Sequence, residues 1–219
     1  MDLEVLMFVR ACWRPNALSD LRDLIDANPW ALLVSQSEDG PLATNLPLLV
    51  EKRDSSDEQK FMLVSHLARA NEHLESLRKT TTPVLAIFEG PWSYVTASWY
   101  PQRQMPSTYY YTAVHCYGRI EFQNEAELDR SLEVLVNRME SQYPDGWKTS
   151  EIPRSEVTRR LPAIIGFRMH VSRVEAKFKL GQDEPLHDAL AVADALDSRD
   201  TPQDRMLAAM IREQNADRS

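Results

Sequence analysis

Tyr109-Tyr110-Tyr111-Thr112-Ala113-Val114-His115-Cys116-Tyr117-Gly118-Arg119-Ile120-Glu121-Phe122 is the longest strand candidate in the chain, and it decides the fold class. Tyr109, Tyr111, Ala113, His115 and Tyr117 fall on one face, and Val114, Cys116, Ile120 and Phe122 on the other. Downstream, residues 164–178 form a second long strand with Ile165, Phe167, Met169 and Val171 on one face. Upstream, 84–90 reads as a buried strand and 61–66 as a short one. Residues 30–36 and 41–51 pair through a turn at Asp39-Gly40. Strands joined by a hairpin favour an antiparallel sheet closing into a barrel over a βαβ arrangement.

Helices fill the rest. Residues 17–28 carry the stripe Leu18, Leu21, Leu24 and Ile25, with Ser19 as the expected cap and Pro29 as the stop. Residues 70–79 and 154–161 are shorter helices. Asn124 and Glu127 form a capping box that starts a helix running to about Gln142. Two helices close the chain, 184–196 and 202–215, the second begun by Thr201-Pro202 and Asp204. Residues 52–60 and 143–153 are polar loops. The expected class is therefore α+β: one antiparallel barrel domain over 1–219, with its core and helices in about 7–182 and C-terminal helices in 183–219.

Composition removes several functions. No apolar run approaches the ~20 residues of a membrane span. The start Met1-Asp2 with Glu4 has no basic segment or small-residue cleavage site, which speaks against a signal peptide. Two cysteines, Cys12 and Cys116, without a CxxC pair, fit a reduced, cytoplasmic protein and exclude zinc fingers. The six glycines are too dispersed for GxGxxG or a Walker A loop. There is no GxSxG and no HExxH. The net charge of -8 argues against a broadly basic nucleic-acid surface, while leaving a local patch open.

Four features can carry chemistry. His66, in Ser65-His66-Leu67-Ala68-Arg69-Ala70-Asn71, sits at a strand-to-helix junction. It is either a neutral ligand for iron or a histidine bonded to backbone. His115 shares the tyrosine-bearing face, as a proton donor or acceptor or as a half-buried partner of Tyr109 or Tyr117. Trp92, Tyr94, Trp99 and Tyr100, with Tyr109 to Tyr111, suit either a flat cofactor or a barrel rim or dimer contact. Arg173, Lys177 and Lys179 alternate with Val174, Ala176 and Phe178, making a row that either holds a phosphate or propionate or is a solvated edge.

Together these segments resemble the PaiB family, the FMN-binding negative transcriptional regulators. The matching pieces are Thr44-Asn45-Leu46-Pro47-Leu48-Leu49, residues 65–71, Val84-Leu85-Ala86-Ile87-Phe88-Glu89-Gly90-Pro91, Tyr94 to Tyr100, Thr112 to Gly118, and Ile165-Gly166-Phe167 to Leu180-Gly181-Gln182. The resemblance spans about residues 7–196. It implies an FMN-binding split β-barrel, a homodimer, and cofactor sites between subunits. The chain departs from the family pattern in its pocket segments. Pro106-Ser107-Thr108-Tyr109-Tyr110-Tyr111 stands for Pro-Thr-Trp-Asn-Tyr, Gly90-Pro91-Trp92 for Gly-Pro-His, and Leu180-Gly181-Gln182-Asp183 for Leu-Ser-Gln-Asn.

One branch of the family, the piperazate synthases, uses heme to close N5-hydroxy-ornithine through an N–N bond with loss of water. Similarity to that branch implies heme b held by His66 as axial ligand, with FMN as the alternative cofactor. Arg69, Asn71, Trp99, Tyr111, Lys177 and Lys179 are the implied cofactor contacts. Tyr94 and His115 would deliver protons to a hydroxylated amino-acid substrate. The alternatives are a PaiB-like regulator binding FMN or heme, and a flavin oxidoreductase whose phosphate Arg173 and the lysines hold.

Overall fold

The computed structural model describes residues 7–51 and 61–218; the polar loop expected at 52–60 lies outside them. The described chain divides into two units, and each is taken by itself.

The barrel unit comprises Pro29–Ile87 and Cys116–Val174. It contains all or part of seven strands: β1 (Trp30–Ser37), β2 (Gly40–Pro47), β3 (Leu49–Glu51), β4 (Met62–Ala68), β5 (Val84–Val95), β6 (Thr108–Phe122) and β7 (Ile164–Lys179). Their hydrogen-bonded order is β2-β1-β5-β6-β7-β4-β3. The β1–β2, β1–β5, β3–β4 and β4–β7 ladders are antiparallel: Trp30 pairs with Pro47, Leu33 with Ala86, Leu49 with Val64, and Met62 with His170. β2 and β3 stand at opposite ends of that order, yet only Leu48 separates them in sequence. The two edges therefore meet and the sheet closes. Leu48 is fully buried, and the Ser65 hydroxyl donates to Pro47 O at 2.5 Å across the join. The expected single strand 41–51 is two strands, because this residue turns the chain from one edge to the other.

Alternation fills the barrel. Leu33, Leu63, Ala86, Cys116, Phe167 and Met169 are all 0% exposed. Burial pushes the Cys116 thiol up to about 12, so it is a packing residue rather than a thiolate. The turn between β1 and β2 is centred on Glu38 and Asp39, one residue earlier than the sequence suggests. Gly40 opens β2 at φ +123°, where a side chain would be strained.

Three helices belong to this unit: α2 (His73–Lys79), α3 (Glu125–Glu140) and α4 (Arg154–Arg160). The α3 capping box is present, each partner bonding the other's backbone N–H at 3.0 Å. Glu127 also pairs with Arg168 at 2.7 Å, and Arg168 with Glu51 at 3.0 Å. α2 starts three residues later than expected, because the Asn71 carboxamide oxygen accepts the His73 N–H at 3.0 Å and ends the preceding turn.

The terminal unit comprises the described part of Met1–Asn28, Phe88–His115 and Glu175–Ser219. It holds α1 (Leu18–Ala27), the remaining lengths of β5, β6 and β7, and the pair α5 (Leu186–Asp197) and α6 (Pro202–Gln214). α5 and α6 pack through Ala189, Val192, Ala193 and Leu196 against Leu207, Ala208 and Ile211, all 0% exposed. Their joint is capped as expected, Asp204 N–H donating to Thr201 Oγ1 at 3.1 Å. The α1 cap differs. Ala17 is the N-cap, and Asp20 reaches back to its N–H at 2.9 Å, while Ser19 sits inside the first turn. No helix of the described residues is long and apolar enough to cross a membrane.

Candidate functional site

In the terminal unit, β5 changes phase at Gly90-Pro91. Both are buried, whereas Glu89 before them and Trp92 and Tyr94 after them are exposed. This shift of phase breaks the in–out alternation at a residue that has no N–H for a ladder. It turns Trp92 and Tyr94 onto Tyr109 of β6, with ring centroids 6.3 and 5.4 Å from it. These three rings are 48–53% exposed and form one aromatic surface.

β7 contributes the cations. Lys177 Nζ lies 4.7 Å from the Trp13 ring, 5.2 Å from Tyr111 and 5.5 Å from Phe8. Lys179 Nζ lies 5.8 Å from Trp13 and donates to the Thr108 hydroxyl. Both lysines are half-buried, and neither has an acidic partner among the described residues. Aromatic faces hold ammonium groups through the ring quadrupole, but they do not neutralise them. Two positive charges thus stand two residues apart without a counter-ion among the described residues. The segment that cages Lys177 is pinned by its own bonds: Met7 N–H to Glu175 at 2.9 Å, Arg10 to Asp183 at 2.7 Å, and Trp13 Nε1–H to Asp183 at 3.1 Å.

His115 lies on the same β6 face as Tyr109 and Tyr111 and is half-buried. Burial holds its proton affinity down, against Glu175 and Glu89, which raise it. Trp99 has a cation of its own, with Arg199 6.0 Å over its ring. Behind the sheet, the fully buried Tyr110 donates to buried Glu184.

In the barrel unit, His66 sits on β4 opposite Gly166 of β7. Its ring is half-buried, burial lowers its proton affinity, and it has no side-chain hydrogen bond among the described residues. Burial favours the neutral imidazole, whose unprotonated nitrogen can serve as a ligand. Asn71 is occupied locally, accepting from the His73 N–H at 3.0 Å and donating to the Thr44 hydroxyl at 3.5 Å. Arg69 is exposed in the turn after β4 and lines a cavity. His73, by contrast, is buried and satisfied, bonding Ser35 and Thr44 at 2.8 Å each.

The structure therefore assigns Lys177, Lys179 and Tyr111 to one cluster, Tyr94 to the aromatic surface, and His66, Arg69 and Asn71 to the other unit. Phe8 and Trp13 escaped the sequence reading, since nothing periodic links residues 8–13 to β7. Among the described residues no group of three or more His, Cys, Asp and Glu could hold a metal ion.

The three lowered histidines predict a pH dependence. The unfolded chain takes up these protons near pH 6.5, and the fold only at lower pH. Their contribution to stability is complete above pH 6.5 and is lost as pH falls through 6.5 toward their lowered values. The urea midpoint should fall from pH 7.5 to 5.5; a midpoint constant or rising on acidification would contradict the burial of these rings.

Comparison with known proteins follows from this geometry. The model of the "Putative FMN-binding domain" family matches residues 7–173. The protease synthase and sporulation protein PAI 2 of Bacillus subtilis is 24% identical over 205 residues, covering 94% of this chain and 96% of that one. The fold is similar to that of a FAD- and heme-binding protein of Mycobacterium smegmatis (TM-score 0.56, 17% identity, 76% of this chain and 73% of that one). It is also similar to a flavocytochrome of Azotobacter vinelandii (TM-score 0.56, 13% identity, 76% and 69%).

Proposed function

The chain belongs to this FMN-binding family, and from that premise we propose that it is a flavin-binding oxidoreductase of the split-barrel type that holds FMN through Lys177 and Lys179. The observation that carries the proposal is the pair of half-buried ammonium groups with no acidic partner among the described residues. A phosphate dianion is the counter-ion they fit, and charge-assisted hydrogen bonds to it are the strong kind. FMN also needs planar walls, and Tyr111 and Trp13 stand beside the lysines while Trp92, Tyr94 and Tyr109 supply a further aromatic face.

When bound, the flavin supplies hydride and electron transfer. The protein's part is binding, orientation and proton handling. Lys179, steadied by Thr108, and Lys177, steadied by its aromatic cage, fix the phosphate end. His115 is neutral near pH 7, with Glu175 and Glu89 drawing a proton toward it. It is thus able to give or take a proton on the tyrosine-bearing face. The exposed aromatic surface suits burial against a second copy of the chain, the homodimer of the family pattern.

A second reading rests on His66. A neutral, open imidazole suits heme iron, and heme would bring the N–N bond-forming chemistry of the piperazate-synthase branch within range. One experiment separates the two. Purified full-length protein is titrated with FMN and, separately, with hemin, before and after His66→Ala. The flavin reading expects FMN binding with quenched flavin fluorescence, unchanged in the variant. A Soret band abolished by His66→Ala, with no FMN binding in either protein, would replace flavin by heme.

A further inference from the structure

Among the described residues Trp13 is the ring that both lysines share, 4.7 Å from Lys177 Nζ and 5.8 Å from Lys179 Nζ. It is buried, yet its segment belongs to no ladder and has only the short helical turn Ala11–Trp13. Side-chain bonds therefore set the attitude of the ring, and Asp183 supplies them. Asp183 Oδ1 accepts the Trp13 Nε1–H at 3.1 Å, and Oδ2 accepts from Arg10 Nη1 at 2.7 Å. The Arg10 guanidinium stands 5.1 Å over the same indole, and Phe8 meets it edge-on at 6.1 Å. The Met7 N–H on Glu175 and Gln214 on the Arg14 carbonyl hold the ends of the segment and leave the indole to Asp183.

An indole donates only from its N–H edge, while an ammonium is drawn to its face. Asp183 takes the edge and leaves the face to Lys177 and Lys179. Lysine side chains are long and flexible, and ordering them on binding lowers affinity. A cage in place before the cofactor arrives removes part of that loss. We infer, on the basis of the flavin reading, that Asp183 is a positioning residue: acting through Trp13, it holds Lys177 and Lys179 ready for the FMN phosphate. A carboxylate is needed here because two donors must be accepted. A carboxamide has one oxygen and would turn its amino group toward the other donor.

The test is titration of the full-length protein with FMN and with riboflavin, followed by flavin fluorescence, in the unaltered chain, Asp183→Asn, Trp13→Phe and the double variant. Asp183→Asn should weaken FMN about tenfold and leave riboflavin, which lacks the phosphate, unchanged. Trp13→Phe keeps an aromatic face, loses the N–H, and should weaken FMN by a similar factor. The double variant should lose little beyond the larger single loss, against about 100-fold for two independent residues. Riboflavin binding also shows that each variant is folded. An FMN affinity unchanged in Asp183→Asn, equal losses of FMN and riboflavin, or single losses that multiply in the double variant would each overturn the role of Asp183 while leaving the lysines in the site. Absence of FMN binding by the unaltered protein would instead overturn the flavin reading, and the role of Asp183 with it.

Discussion

Gly118→Ala should destabilise the protein by about 3 kcal/mol or more, a large part of the ~5–15 kcal/mol that holds a domain folded. Gly118 lies on β6 against β7. A Cβ there would stand 2.2 Å from the backbone oxygen of His170, 2.8 Å from its carbonyl carbon and 3.1 Å from Val171 Cα. None of these atoms belongs to a side chain that can rotate away, so relief requires the two strands to part. Gly166→Ala provides the contrast. Its nearest atom, at the same 2.2 Å, is the end of the Gln123 side chain, and the expected loss is about 1 kcal/mol. Urea unfolding of the two variants measures the difference. Equal midpoints would mean that β6 and β7 do not approach as described.

The second large effect concerns cofactor affinity. Replacing both Lys177 and Lys179 by alanine should weaken FMN binding by about 100-fold or more, from two charge-assisted contacts at roughly 1.5–3 kcal/mol each. Both side chains are half-buried and at the surface of the unit, so the fold should survive. Riboflavin is the control, because it keeps the ring system and lacks the phosphate. Its affinity should be the same in the double variant and the unaltered protein. An FMN affinity indifferent to the substitutions would remove the lysines from the site. Equal losses for FMN and riboflavin would make their role structural.

Alternation made much of the barrel legible. The buried residues of β6 include Val114 and Cys116, and Tyr109, Tyr111, His115 and Tyr117 lie on its more open face, as period-two patterning requires. The Asn124–Glu127 box was legible because both partners are local. The extension of β5 past Gly90 was not. Gly-Pro reads as a stop, whereas here it shifts the phase of a strand that continues to Val95. The cage around Lys177 was illegible for another reason. Phe8 and Trp13 reach it by tertiary folding of a segment without regular period. The alternating Arg173, Lys177 and Lys179 row could be read; the buried Glu175 within that row, held to Met7 N–H, could not be weighed without the contact. Gln123 gave no signal at all, because burial of its Oε1 without a hydrogen-bond partner among the described residues is a property of packing.

The single-residue joint at Leu48 has a counterpart in the order of synthesis. β1, β2, β3 and β4 leave the ribosome in sequence, and β4 has one of its two ladder partners, β3, already made. The other side of β4 belongs to β7, so Met62 waits for His170 and Ala68 for Ile164. Until residues 164–170 have emerged, Met62, Leu63, Val64 and Leu67 lie on a strand with one edge unsatisfied, the kind of surface that recruits other chains. The seventh strand, which begins about three-quarters of the way along the sequence, is thus what closes the strand edge most open to misassembly.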